Sequence, residues 1–378
     1  MKHAAAALRM RRATPARAPA RALETWLMHG PAQVGHGPHA GAVAGMTDTS
    51  GSVAYVYPEI TGYFLQWLAW RAQRGDDAAA LRDRAARAQR WLKTWIAGEP
   101  PLTRLHFDGA TSDWRNDAVF CFDLAMVLRG LASAAQAQLV TVDATLVAGV
   151  VRQLERLLGP DDAFEACVAN AGAANLPARW STLRGAFLAK AGAGIAAAAR
   201  VLPEVPAHIG HAGRATFDAS VIALREDSHL ELHPLLYAFE GVLSWPEHPQ
   251  FASNLRMVAS QFAALLELGG EKGQLPEIIG TAANVMESAR VDIIAQAIRV
   301  GSLLAAHRLP HPPNQLALAR LRNCLANAVR PSGSVGFVLD ARRTDCNAWA
   351  AMFADQALAF AGTVPELATR TCRDPLLV

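Results

Sequence analysis

The chain has 378 residues, 52% of them hydrophobic, enough for one large domain with a sizeable core. Its net charge of +3 comes from the first 21 residues, where Lys2, Arg9, Arg11, Arg12, Arg17 and Arg21 precede the first acid, Glu24; without them 30 basic residues face 33 acidic ones. That balance excludes a basic nucleic-acid-binding face, and no run approaches the ~18 uninterrupted apolar residues of a membrane span.

The opening stretch, "MKHAAAALRMRRATPARAPARA", is basic and rich in Ala and Pro, and it lacks the apolar core and cleavage site of a secretory signal. Residues 1–22 are therefore expected to be a flexible tail on a single domain spanning 23–378, with cytoplasmic residence. Cys121, Cys167, Cys324, Cys346 and Cys372 are odd in number and without CxxC spacing, which predicts reduced packing residues and no structural zinc.

Strand signals are brief, around "GSVAYVY" and "SGSVGFVL", and helical periodicity dominates. In "DDAAALRDRAARAQRWLKTWIAG", Ala85, Ala88, Leu92, Trp95 and Ile96 share one face and arginines the other, predicting an outer helix that ends at Gly98. Similar amphipathic stretches lie near 143–158, 249–268 and 313–329. Between them run almost wholly apolar helices that begin near Pro58, Asp117, Arg184, Pro234, Ser288 and Asn347, at intervals of 50 to 67 residues. Six hairpins of that size predict an all-α fold, an (α/α)6 toroid with buried inner helices and amphipathic outer ones. The fourth outer helix is not evident, because "HIGHAGRATF" reads as loop.

A helix surrounded on all sides has no need of a polar face, so its polar residues are expected to reach a central cavity or to be paired in the core. Glu59, Tyr63 and Gln66 are spaced four and three apart on one stripe, and His233, Tyr237 and Glu240 repeat that spacing. Pro58 and Glu59 also suit a first helical turn, so capping is the competing role for Tyr57, Glu59 and His233. Asp123 lies in "VFCFDLAMVL", where a carboxylate needs a partner or a raised pKa. Asp292 has Gln296 four residues on and Arg290 and Arg299 nearby; Asn347, Trp349 and Gln356 follow. Asp113 and Asp117 are expected to cap the second inner helix. Trp67, Trp70 and Trp349 offer flat surfaces for sugar rings. His229 and His233, with Glu231 between, hint at metal, but Pro234 disfavours helical geometry at His233 and no metal is expected. Neither GxGxxG nor GxxxxGK[ST] occurs where it would bind phosphate, so no nucleotide cofactor is expected, and GxSxG is absent.

Several phrases carry a resemblance: "YPEITGYFLQWLAW", "RNDAVFCFDLAMVLRGL", "ARWSTLRGAFLAKAGAGI", "HPLLYAFEGVL", "ARVDIIAQAIRVGSLL" and "NAWAAMFADQALAF". In this order, over about residues 50–361, they resemble the blocks of a helical-toroid family found in bacterial capsule and exopolysaccharide gene clusters. That family is similar in fold to glucuronyl C5-epimerase, heparinase-type lyase and six-hairpin glycosidase modules. The resemblance implies a carbohydrate-processing role in polysaccharide biosynthesis, with a saccharide or other small molecule as partner. This chain departs from the family pattern at Leu124-Ala125, where a small Thr-Gly is expected after the aspartate, which puts the shape of that part of the pocket in doubt.

A uronic-acid epimerase or lyase needs a base beside the substrate carboxylate and donors to neutralise it. A glycosidase needs two carboxyls about 5 Å apart for retention or roughly 6.5 to 9.5 Å for inversion. The expected catalytic residues are Glu59, Tyr237, Glu240, Asp123 and His233; the expected substrate-binding residues are Tyr63, Arg290, Asp292, Asn347 and Trp349. The alternatives are a non-catalytic glycan binder or scaffold and a toroid enzyme acting on a small natural product.

Overall fold

Two grades of helix alternate along the chain, and their polarity decides which layer each occupies. The computed structural model describes residues 17–107, 113–173, 175–226, 231–269, 273–279, 289–307, 309, 312–340 and 342–361. The amphipathic outer layer comprises α1 (Arg17–His29), α3 (Ala78–Ile96), α5 (Ala144–Glu155), α7 (Ala207–Glu226), α9 (Phe251–Glu267) and α11 (Gln315–Ala328). The apolar inner layer comprises α2 (Pro58–Gln73), α4 (Cys121–Gln136), α6 (Leu188–Val201), α8 (Leu232–Leu243), α10 (Val291–Ala306) and α12 (Ala348–Ala361). Each inner helix packs on the next, and α12 returns to α2, so the inner ring is closed. Each outer helix covers the inner helix before it, except α1, which covers α12. Among the described residues no helix is long and apolar enough to cross a membrane.

Two elements differ from the sequence expectation. Residues 17–22, assigned to a tail, form the first turns of α1, where Pro19 is tolerated because early helical N–H groups need no partner. Residues 1–16 lie outside the described part. The segment read as loop, "HIGHAGRATF", is the body of α7. Its glycines serve close approach: a Cβ on Gly192 of α6 would stand 2.5 Å from the Gly213 carbonyl oxygen of α7, and one on Gly213 would stand 2.9 Å from Ile195. Glycine lowers helix propensity, but tertiary packing overrides it here.

Short strands decorate one end of the ring. β1 (Ala44–Thr47), β2 (Val53–Val56), β3 (Leu105–His106) and β6 (Cys346–Asn347) form an antiparallel sheet ordered β3-β2-β1-β6, and β4 (Ala118–Phe120) pairs with β5 (Cys167–Ala169). The "GSVAYVY" signal became β2; "SGSVGFVL" makes only an isolated bridge, between Val338 and Arg290. β2, β4 and β6 lead directly into α2, α4 and α12, so this is the end where the inner helices begin.

Gly192→Val should cost at least about 2 kcal/mol of stability in urea denaturation, because the α6–α7 contact has no room for the side chain. Gly35→Ala should cost almost nothing, since a methyl there meets nothing within 4 Å.

Candidate active site

The starts of the inner helices converge on a cavity of about 450 Å³. Glu59 from α2, Asp123 from α4, His233 and Tyr237 from α8, Arg290 at the entry to α10 and Trp349 from α12 all line it. Acids in the first turns of α2, α4 and α10 are favoured there by the helix dipole.

Glu59 and Asp123 form a carboxyl pair. The Tyr57 hydroxyl donates to Asp123 Oδ1 at 3.3 Å and interacts with Glu59 as well. Asp123 Oδ2 is buried with no partner among the described residues. Burial, and then the neighbouring Glu59, push Asp123 far above the usual carboxylate range. Glu59 lines the cavity and keeps some exposure, and burial raises it to about 7.

His233 is 7% exposed, and its Nδ1 lies 2.7 Å from Gln296 Oε1 and 3.5 Å from Asp292 Oδ2. An amide oxygen only accepts, so Nδ1 carries the proton and Nε2 keeps its lone pair. Burial, then Arg290, lower His233 to about 4, so it is a neutral imidazole at physiological pH. Its ring lies 4.4 Å from that of Tyr237 and 5.9 Å from that of Trp180. Its place as the second residue of α8 corrects the expectation that Pro234 excludes it from the helix: the proline sits in the first turn, where no N–H is missed.

The remaining predicted residues lie around or beneath the cavity. Asp292 is fully buried and takes Arg290 in a two-pronged pair, Nε at 3.1 Å and Nη2 at 2.6 Å, with Trp349 Nε1 at 3.4 Å. It thus orients three groups that line the cavity and does not line it itself. Asn347 is buried in β6, where its Oδ1 accepts from Ala350 N at 2.8 Å, so its side chain caps α12. Tyr63 lies below the floor, close to Glu59 and Tyr237 but in full hydrogen-bond geometry with neither. The two sequence stripes therefore run down the ring axis, and only their first members and Tyr237 line the cavity.

Glu240 is the clearest departure from expectation. It is fully buried, seven residues or roughly 10 Å of helix deeper than His233, and does not line the cavity. It accepts from Lys190 Nζ at 2.8 Å and is ion-paired to Arg299, which holds Gln356 at 3.1 Å. Burial opposes its charge, but Arg299 and Lys190 outweigh burial and keep Glu240 ionised. Burial also pulls Lys190 down to about 7 against the attraction of Glu240, and its Nζ stands 4.8 Å and 4.7 Å from the rings of Tyr63 and Tyr237. Glu240 is thus a tie between α6, α8 and α10.

Trp67 and Trp70 are core residues as well; Trp67 donates to Asp355 Oδ2 at 2.9 Å, and Arg71 on the same helix pairs with Asp355, Asp76 and Glu24. Asp113 caps the short 3-10 turn at Trp114–Asp117, and Phe120 stands at the cap position of α4, so neither Asp113 nor Asp117 caps that helix. His229 lies outside the described residues, and among those described no group of three or more His, Cys, Asp or Glu is placed to hold a metal ion.

Sequence reasoning missed much of the cavity wall: Tyr55, Arg104, Trp114, Arg115, Arg179 and Trp180. They come from the segments that precede inner helices, and apart from Tyr55 no periodicity marks them. The available signal was the mirrored pair of dipeptides, Trp114-Arg115 and Arg179-Trp180, in otherwise polar loops.

No family model and no curated protein matches the sequence. Solved structures do match in fold. Cellobiose 2-epimerase from Spirochaeta thermophila DSM 6192 aligns with a TM-score of 0.67 and 15% identity over 96% of this chain and 98% of its own. D-mannose isomerase gives 0.67 and 12% over 94% and 97%. An unsaturated glucuronyl hydrolase specific for heparin gives 0.59 and 10% over 90% and 96%. The likeness, at these identities, is one of fold, and it assigns the chain to the α/α toroids.

Glu240→Gln should lower stability by about 3–5 kcal/mol, because it leaves buried cations without their carboxylate; chemical denaturation measures this. A carboxyl raised by folding is a stability cost only when ionised. The contribution of Glu59 should therefore be lost as pH rises from its ordinary 4.5 to about 7 and stay level above. The stability difference between wild type and Glu59→Gln, followed from pH 4 to 8, should show that slope, and a flat difference would contradict it.

Proposed function

We propose that the chain is a carbohydrate-processing enzyme that performs acid/base chemistry on a sugar held in the toroid cavity, with Glu59 and Asp123 as its proton-carrying pair. The observation that carries this reading is that Glu59 and Asp123, the latter bonded to Tyr57, line one aromatic cavity and are both raised by burial. Near neutral pH Asp123 keeps its proton and Glu59 loses one readily, so the pair holds an acid and a base side by side. That combination serves glycosidic bond hydrolysis: Asp123 protonates the leaving oxygen and Glu59 acts on the opposite partner, water or the sugar carbon. Trp349, Trp180 and Trp114 supply faces for the sugar ring, and Arg290 is fixed by Asp292 and Glu277 as a donor. The solved structures of similar fold include sugar epimerases, an isomerase and glycosidases, which supports a sugar as substrate. A place in capsule or exopolysaccharide biosynthesis rests on the sequence resemblance alone.

A second reading, epimerisation or isomerisation, is favoured by His233. A neutral imidazole with its proton fixed on Nδ1 leaves Nε2 able to take a proton from carbon, and Tyr237 stands beside it.

Incubation with mixed acidic and neutral oligosaccharides in heavy water, read by mass spectrometry, separates these readings. Cleavage with added water indicates hydrolysis, cleavage without it a lyase, and deuterium on carbon without cleavage epimerisation. Glu59→Gln and Asp123→Asn should each lower turnover by about 10²- to 10⁴-fold without lowering the melting temperature. Unchanged turnover in both variants would remove the pair from the mechanism, and a folded protein that binds sugars but forms no product would be a glycan binder.

A further inference from the structure

Charge is unevenly spread around the cavity. On one side Arg104, Arg115 and Arg179 stand among aromatic rings: Arg115 and Arg179 lie 4.6 Å and 5.7 Å from the Trp114 ring centre, and Arg104 lies 4.5 Å from that of Tyr55. One carboxylate serves two of the three. Asp113 takes Arg104 at 3.3 Å and Arg115 at 3.2 Å, while Arg179 makes no ion pair among the described residues. The buried Nε of Arg104 has no acceptor there either. This side thus carries a surplus of positive charge and an unsatisfied donor. On the other side the order is reversed, with Glu277 and Asp292 on Arg290, at 2.7 Å and 2.6 Å, and Glu231 nearby. Glu231 is raised by burial and by Glu277, and both Arg290 and Arg179 oppose the shift, so Arg179 stands within electrostatic reach of both sides.

We propose that the cavity binds an anionic sugar, whose oxyanion substituent is held by Arg104, Arg115 and Arg179 while its ring lies against Trp114. This deepens the reading of the cavity as a sugar site and rests on it. Guanidinium groups pair with carboxylate, sulfate or phosphate oxygens in a fixed fork, and stacking on aromatic faces sets their direction before the ligand arrives. A bound oxyanion would neutralise the surplus of positive charge, which a neutral sugar does not. The carboxylates opposite repel the same substituent, so the polarity of the cavity also selects one orientation of the substrate. Asp123 feels both Arg104 and Arg115, and Glu59 feels Arg104, which puts the anion site beside the reacting groups.

The test is calorimetric titration of the full-length protein with D-glucuronate, D-glucose 6-phosphate and D-glucose at low and high salt. At least one anionic sugar should bind about tenfold more tightly than glucose, and added salt should erode that preference. The stronger of the two distinguishes a carboxylate from a phosphate as the favoured group. Arg115→Gln and Arg179→Gln, checked for an unchanged melting temperature, should each weaken the anionic sugar by about tenfold and leave glucose unaffected. Equal affinity for all three sugars, no binding of either anionic one, or a preference that survives both substitutions would overturn the proposal. Because binding is read without turnover, an anionic preference with no product in any assay leaves the subsite standing and removes the enzyme reading. Turnover of a neutral sugar with no anionic preference does the reverse.

Discussion

An inner helix wrapped on every side can keep a charge only where it meets an opposite charge or a cavity, and the rest of this structure depends on that constraint. Glu240 shows the first outcome. Its carboxylate sits between Lys190 of α6 and Arg299 of α10, so three neighbouring inner helices share one charge centre near the ring axis. A buried pair of this kind adds little net stability relative to an apolar core, yet it is costly to break, and so it sets which helix faces inward and at what height. Lys190 extends the centre toward the cavity by lying over the rings of Tyr63, beneath it, and Tyr237, which lines it.

Glu59 and Asp123 show the second outcome. They lie in the first turns of α2 and α4, where the helix dipole favours a carboxylate, but they face a cavity walled by aromatic rings that disfavours charge. Their protons are the compromise. Asp292, in the corresponding turn of α10, has the opposite fate, because Arg290 holds it below the usual range against its burial. Three acids at equivalent places in the repeat thus acquire three different proton affinities, set by burial and by the charges beside each.

The alternation of apolar and amphipathic segments predicted the ring and most of its helices, because burial on all sides and burial on one side leave different marks on a sequence. The misses share a cause. α7 carries glycines that read as loop, but Gly213 is where α6 comes so close that no side chain fits. Arg104, Arg115, Arg179 and Trp114 sit in segments without period, where sequence neighbours say nothing about spatial ones.

The sequence by itself determined the all-α repeat and the stripes of polar residues, Glu59-Tyr63-Gln66 and His233-Tyr237-Glu240, since both follow from helical geometry within one segment. Only the tertiary structure decided which members of a stripe reach the cavity. A helix rises about 1.5 Å per residue, so positions on one face differ by a full side chain's reach in depth. Glu59 and His233 lie at cavity height and Glu240 at the height of Lys190 and Arg299, and that difference was settled by packing between segments 50 or more residues apart.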